Sequence, residues 1–295
     1  MKKIWFLIFL LVCETNFAQD KEFVYGTFRG GLLINSPTIE VVSKKSYDFT
    51  IRHRFGMIGP DSSAYQQFLG TDLPANIRFG FAFPVTEKLT LGFGRTKNGK
   101  TVDAEAKYLF AMQTEDNSMP VSAAIYFSSA MMTDKFSKIP QYSFFSDSLT
   151  PFKYKFEHRF SYSTELIIAR KFSDKFSMQV APLLVYKNLV NPGNENQTFV
   201  ISIGGVYKTG LKSSIIFEYA YRFNNRPEEN AYPISIGWEF GTVGHVFQIV
   251  ASSSTELIEQ DLYTKKSFNY FKGNFALGFN IRRTSWSKKY KPVTQ

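Results

Sequence analysis

From Ser46 onward the chain repeats one pattern, in which apolar and polar residues alternate position by position. In SYDFTIRHRF (46–55), Tyr47, Phe49, Ile51 and Phe55 oppose Asp48, Thr50, Arg52 and Arg54. In ANIRFGFAF (75–83), Ile77, Phe79, Phe81 and Phe83 oppose Asn76, Arg78, Gly80 and Ala82. Period two is the signature of an extended strand with unlike faces. The same pattern marks 88–96, 101–110, 120–130, 156–172, 175–186, 198–207, 213–223, 232–240, 244–252 and 273–282. That makes about twelve strands of about ten residues, the length that crosses a bilayer when tilted. No helical period of useful length interrupts the series, so one all-β domain is predicted.

Alternation fits two architectures. A sandwich packs its apolar faces together, whereas a membrane barrel turns them to lipid and its polar faces to a lumen. Three features favour an antiparallel up-and-down transmembrane β-barrel. The connections alternate in length: 56–74, 131–155 and 253–272 are long, while 84–88, 172–175 and 241–244 are short. Aromatics stand near strand ends, among them Phe55, Phe83, Phe110, Tyr186, Phe223, Trp238 and Phe240, as in the girdles at membrane interfaces. Charges also sit deep within the strands, where a dry sandwich core would penalise them. The Asn98-Gly99 link and 111–119 depart from the alternation of lengths. An even strand number places both chain ends on one side, the periplasmic one.

One stretch, GRTKNGKT (94–101), fits the phosphate-loop pattern G-x-x-x-x-G-K-[ST]. Such a loop works only between a buried strand and a helix whose N-terminus holds the phosphates. Here the flanks KLTLGFGRT and TVDAEAKYLF both alternate, and Asn98-Gly99 is a strong hairpin signal. The string therefore predicts a β-turn rather than a nucleotide site.

The ends bound the domain. Lys2 and Lys3, the apolar run Ile4–Val12 and Asn16-Phe17-Ala18 form a secretory signal peptide, residues 1–19, cleaved after Ala18 or Gln19. Cys13, the sole cysteine, lies within it, so the mature chain has no thiol for disulfides, metal sites or nucleophilic catalysis. Residues 20–45 are expected to be an arm or plug, 46–282 the barrel and 283–295 a basic periplasmic tail. The formal charge of +10 falls to +9 once Lys2, Lys3 and Glu14 are removed. Much of the excess clusters at Arg282, Arg283, Lys288, Lys289 and Lys291, which is not the footprint of a nucleic-acid binder.

The segments FRGGLLIN (28–35), DFTIRHRFG (48–56), ANIRFGF (75–81), LTLGFGR (89–95), ELIIARKFS (165–173) and GHVFQI (244–249) resemble a Gram-negative outer-membrane β-barrel family of unknown function. The resemblance implies a secreted single-domain barrel of about twelve strands. It carries over no activity and no functional residue.

Parity assigns the lumen Arg52, Arg54, Arg78, Lys107, Arg159, Arg222 and Arg282, together with Asp48, Asp103, Glu105, Glu157, Glu165, Glu218 and Glu239. Seven charges of each sign suit either a self-paired network or a pore that sorts solutes. His53 and His158 fall on the lipid side by parity, away from the inward Ser161 and Ser163, and no G-x-S-x-G elbow occurs. No metal-binding spacing such as H-E-x-x-H occurs either. No catalytic residue, cofactor or metal is expected. The chain reads as a monomeric outer-membrane barrel for passage or binding of small solutes, or with a structural envelope role. A lipid-modifying enzyme, or a membrane anchor holding a periplasmic or surface partner through the basic tail or the outer loops, are the alternatives.

Overall fold

A computed structural model describes residues 22–60, 64–135, 149, 151, 154–190, 193–227 and 231–286. The expected signal peptide lies outside them, as do most of the 131–155 connection and residues 287–295. Twelve antiparallel strands close into one barrel in which each pairs with its sequence neighbours and β1 pairs with β12. The strands are β1 (Ser46–Ile58), β2 (Asn76–Pro84), β3 (Leu89–Thr96), β4 (Thr101–Ala111), β5 (Ser122–Met132) and β6 (Phe160–Lys171). They continue as β7 (Phe176–Lys187), β8 (Gln197–Lys208), β9 (Ser213–Arg222), β10 (Ile234–Gly241), β11 (His245–Ser252) and β12 (Phe275–Trp286). Closure leaves no edge strand, so every ladder group can find a partner.

Side-chain alternation sets the two faces. Phe79, Phe81, Phe93, Phe127, Ile236, Trp238, Phe247 and Ile249 are exposed on the outer face. Aromatic rings bridge neighbouring strands there, with Phe81 stacked on Phe93 at 5.4 Å and Phe49 against Phe81 at 4.8 Å. The inner wall has two unlike halves. On β1–β4 and β10–β12 it is charged, with Arg52, Arg54, Arg78, Asp103, Lys107 and Glu239 buried. On β5–β9 an apolar patch of Ala124, Ile167, Ala169, Ala181, Val185, Val206 and Ile216 is buried among polar residues such as Glu165, Gln179, Ser202 and Glu218.

At the GRTKNGKT string, β3 turns directly into β4 through a single tight turn, Asn98–Lys100, with Gly99 at φ 63°. No helix follows, so no dipole is available to hold phosphate. Several strand ends differ from the sequence expectation, and two of the shifts move charged residues. β6 begins at Phe160 rather than 156, because Phe156–Arg159 form one 3₁₀ turn in which the Lys155 N–H donates to His158 Nδ1. β12 runs on to Trp286, where it pairs with Ser46, so Arg283 belongs to the wall rather than to a tail.

The outer face generates a direct expectation. Ile249 sits mid-strand on β11 and is 62% exposed. Replacing it by Arg in a bilayer should cost about 2–4 kcal/mol, the penalty for a cation facing lipid near the midplane. Folding titrations in lipid vesicles should show that loss for Ile249→Arg. Unchanged stability would mean that this face does not meet hydrocarbon.

Candidate functional site: the charged lumen

Both ends of the barrel send chain into the lumen. Residues 22–45 enter beside β4, where the Val24 N–H donates to the Gln113 carbonyl (2.8 Å), and return to β1. Between these points the chain doubles back on itself. Thr38 Oγ1 donates to the Gly30 carbonyl (2.6 Å), and the Leu33 N–H donates to that of Ser36 (2.9 Å). Phe28, Leu33, Ile34 and Ile39 pack against the apolar patch of Ala124, Ile167, Ala169, Ala181 and Ile216 on β5–β9.

The tip of this loop is held by polar side chains of the wall. The Glu218 carboxylate of β9 accepts the backbone N–H groups of Ile34 (2.7 Å), Asn35 (2.9 Å) and Ser36 (2.8 Å). Gln248 donates to the Leu33 carbonyl (2.6 Å), Asn280 to that of Ile34 (2.9 Å) and Gln179 to that of Pro37 (2.9 Å). Arg54 donates to the Asn35 side chain (2.9 Å). These contacts complete the hydrogen bonding of a backbone that lies away from water.

From the opposite end the connection between β11 and β12 folds inward. Its single helical turn α1 (Glu259–Leu262), followed by Tyr263, buries Leu262 and Tyr263 against Leu183, Val185, Val200 and Ala220. Gln260 donates to Ser128 Oγ, and Lys187 pairs with Asp261 (2.8 Å). Arg222 donates to the Thr264 carbonyl (3.0 Å). The in-folded segments meet where Ser36 Oγ and Tyr263 Oη share a hydrogen bond of 2.9 Å.

Between residues 29–43 and the charged half of the wall lies a cavity of about 330 Å³. Its lining runs from Gln248 and Asn280 within the wall to Thr284 and Trp286 at the rim that carries the chain ends. Arg78 forms ion pairs with Asp103 and Glu105, Arg282 with Asp48 (3.2 Å), and Arg29 with Glu239 (3.2 Å). Gly80 and Gly94 flank Arg78, and a Cβ at either position would collide with its guanidinium. Tyr126 donates to Glu105 (2.6 Å) and Lys107 to the Gly31 carbonyl (3.2 Å).

Of the residues that parity sends inward, Asp48, Arg52, Arg78, Glu105, Lys107, Glu239 and Arg282 line this cavity, with Asp103 behind Arg78. Arg54 and Glu218 hold the loop tip. Glu165, bonded by Ser163 (3.3 Å), and Arg222 lie toward α1. Glu157 and Arg159 do not line the wall. They fall in the turn that precedes β6, where Glu157 is exposed and Arg159 donates to the Met132 carbonyl (2.8 Å). His158 shares that turn rather than a strand face. His53 stacks on Phe279 (5.1 Å) on the outer face of β1, whereas Ser163 is buried on the inner face of β6. Arg29 and Asn35, expected to pack against the lumen or its periplasmic mouth, do so, whereas the sequence reading missed Glu40, Gln248, Glu259 and Asn280. Glu40 lies in the arm-or-plug segment, Glu259 lies in a connection, and the two amides carry no charge to attract notice.

The two carboxylates of α1 have opposite surroundings. Burial pushes the Glu259 carboxyl up to about 7, against the pull of the Arg52 guanidinium. At Asp261 burial acts in the same direction, but the Lys187 and Lys265 ammonium groups outweigh it and hold the carboxyl below the usual carboxylate range.

Residues 28–285 match the family described as "Membrane bound beta barrel domain (DUF5777)", and the chain belongs to that family. No curated protein sequence matches it. Among solved structures it is similar to the KdgM porin, with 9% identity and a TM-score of 0.46, over 82% of this chain and 99% of that one. It is also similar to the NanC porin, with 7% identity and a TM-score of 0.49, over 81% of this chain and 99% of that one. A third is the outer membrane phospholipase A from Escherichia coli, with 9% identity and a TM-score of 0.43, over 80% and 89%.

Two outcomes follow from the geometry of the in-folded segments. Glu218→Ala removes the acceptor of three buried N–H groups, at about 1–3 kcal/mol for each group left unpaired. Hydrogen exchange at Ile34–Ser36 should then accelerate by at least about tenfold, whereas unchanged exchange would mean that the tip is held by other means. Docking of 257–263 should depend on pH in two directions. The contribution of Glu259, whose carboxyl is raised, is fully present below about 4.3 and is lost as pH rises through about 7. That of Asp261, whose carboxyl is lowered, is present above about 3.9 and is lost as pH falls further. Protection factors of these amides should therefore drop between about pH 5.5 and pH 8.5, and Glu259→Gln should abolish the drop.

Proposed function

We propose that this member of the membrane-bound β-barrel family lies in the outer membrane with both chain ends in the periplasm. Its role is to bind a small polar solute within its lumen and to pass that solute when an in-folded segment is displaced. The observation that carries this reading is the cavity of about 330 Å³ bounded by Arg52, Arg78, Lys107, Arg282, Asp48 and Glu105. Its volume is at the lower end of the range for small-molecule sites, about 300–1,000 Å³, and its walls combine both charges with apolar surface. Residues 22–45 act in this reading as a plug, and 253–274 as a second barrier from the other side.

The arrangement favours gated passage over a standing pore. A loop whose tip is held by Glu218, Gln248, Asn280 and Gln179 lies inside the lumen, bonded to β7, β9, β11 and β12. The 253–274 connection is held more sparsely, through α1, Tyr263 and a few side-chain bonds, and is the segment whose displacement requires less rearrangement.

Planar-bilayer recording tests this reading. The mature chain should give rare, small current steps. Replacing 254–268 by a short Gly-Ser loop should give larger and more persistent ones. Ion selectivity in that background should move toward cations with Arg52→Ala, which removes a lumen cation. Arg78→Ala should shift it further in that direction, because Asp103 and Glu105 lose their partner. Silence from every variant, shown to be folded and inserted, would reject passage and leave a structural or anchoring barrel.

A further inference from the structure

The cations of the cavity are not equally engaged. Arg78, Arg282 and Arg29 each pair with a carboxylate, but Arg52 and Lys107 form no ion pair among the described residues. Arg52 is 2% exposed, its single hydrogen bond is to the Asn35 carbonyl at 3.4 Å, and its Nε has no partner. Glu105, Asp103 and Glu259 act on it through space without hydrogen bonding to it. Lys107, also buried, donates only to the Gly31 carbonyl (3.2 Å). A guanidinium presents five donors in a planar fork, and burying most of them unpaired is unfavourable. The group that best completes such a fork is a carboxylate or phosphate accepting two parallel N–H bonds.

The remaining lining decides between these two. Glu40, Asp48, Glu105 and Glu239 face the same space. They repel a second negative charge, which disfavours a phosphate dianion. The same oxygens accept hydrogen bonds from hydroxyl groups. We propose that the cavity binds a small, singly charged carboxylic acid carrying hydroxyl groups. Its carboxylate sits on Arg52, Lys107 supports the charge, and its hydroxyls turn to Glu40, Asp48 and Glu105. The assignment rests on the lumen being a solute site, and it names the class of solute.

Calorimetric titration of the refolded mature protein in detergent tests it, with gluconate, glucose and glucose 6-phosphate as probes. Gluconate should bind saturably, at least about tenfold more tightly than the other two, as expected for one charged, bidentate contact. Arg52→Gln should weaken gluconate by about 10- to 100-fold, the loss of hydrogen bonds to a charged group. Lys107→Met should weaken it less, and Lys175→Ala, on the turn between β6 and β7, should leave it unchanged. Wild-type gluconate affinity in a folded Arg52→Gln protein, or tighter binding of glucose 6-phosphate, overturns the assignment. Should Arg52→Gln fail to fold, the ranking of the three probes on the unaltered chain decides the question alone. Glucose binding as tightly as gluconate overturns the carboxylate but leaves a solute site in the lumen. Absence of binding by all three overturns both.

Discussion

The constraint on which the rest of this structure depends is width. An eight-stranded barrel is narrow enough for its own side chains to fill, and a twelve-stranded one is not. The surplus volume here is occupied by chain: 22–45 from one end and the 253–274 connection from the other. Chain brings backbone with it, and each of its N–H and C=O groups needs a partner inside the wall. That requirement accounts for the inward polar residues that are not part of the ion pairs. Gln179, Gln248 and Asn280 present amide donors to the Pro37, Leu33 and Ile34 carbonyls of the loop tip, and Glu218 presents acceptors to its N–H groups. Part of what looks like a solvated lumen surface is therefore the receiving half of a fold.

The same filling explains why the wall has two halves. The in-folded loop turns Phe28, Leu33, Ile34 and Ile39 toward β5–β9, and those strands answer with Ala124, Ile167, Ala181 and Ile216. Burial of these side chains on both sides supplies the favourable term that anchors the loop. Once the apolar residues are satisfied on one side, the charged side chains of β1–β4 and β10–β12 are left with room before them. The cavity lies there because the loop packs to the other side.

Sequence patterning makes the barrel legible because the outer face obeys a single rule over every strand. Asn98-Gly99 marks its turn for the same local reason, the positive φ of Gly99. The occupied lumen leaves a weaker trace. Along ELIIA (165–169), APLLV (181–185) and FVISI (199–203) apolar residues fall on both parities, the mark of strands covered on both faces. Such a run is easily taken for lipid-facing residues alone. Parity also fails where a strand has not yet begun, as at Glu157 and Arg159, because the 3₁₀ turn of Phe156–Arg159 breaks the count before Phe160 restarts it. α1 is shorter still, one turn within a connection, and Leu257, Ile258, Leu262 and Tyr263 are too few to show a helical period.

The two in-folded segments are anchored independently. The N-terminal one is bonded to β1, β7, β9, β11 and β12, and its apolar cluster contains no residue of the 253–274 connection. That connection packs on β7–β9 and pairs with Lys187, and its cluster contains no residue of 22–45. Among the described residues the hydroxyl pair of Ser36 and Tyr263 is the sole hydrogen bond between them. A neutral hydroxyl–hydroxyl bond contributes only about 0.5–1.5 kcal/mol, so displacing one segment costs the other little.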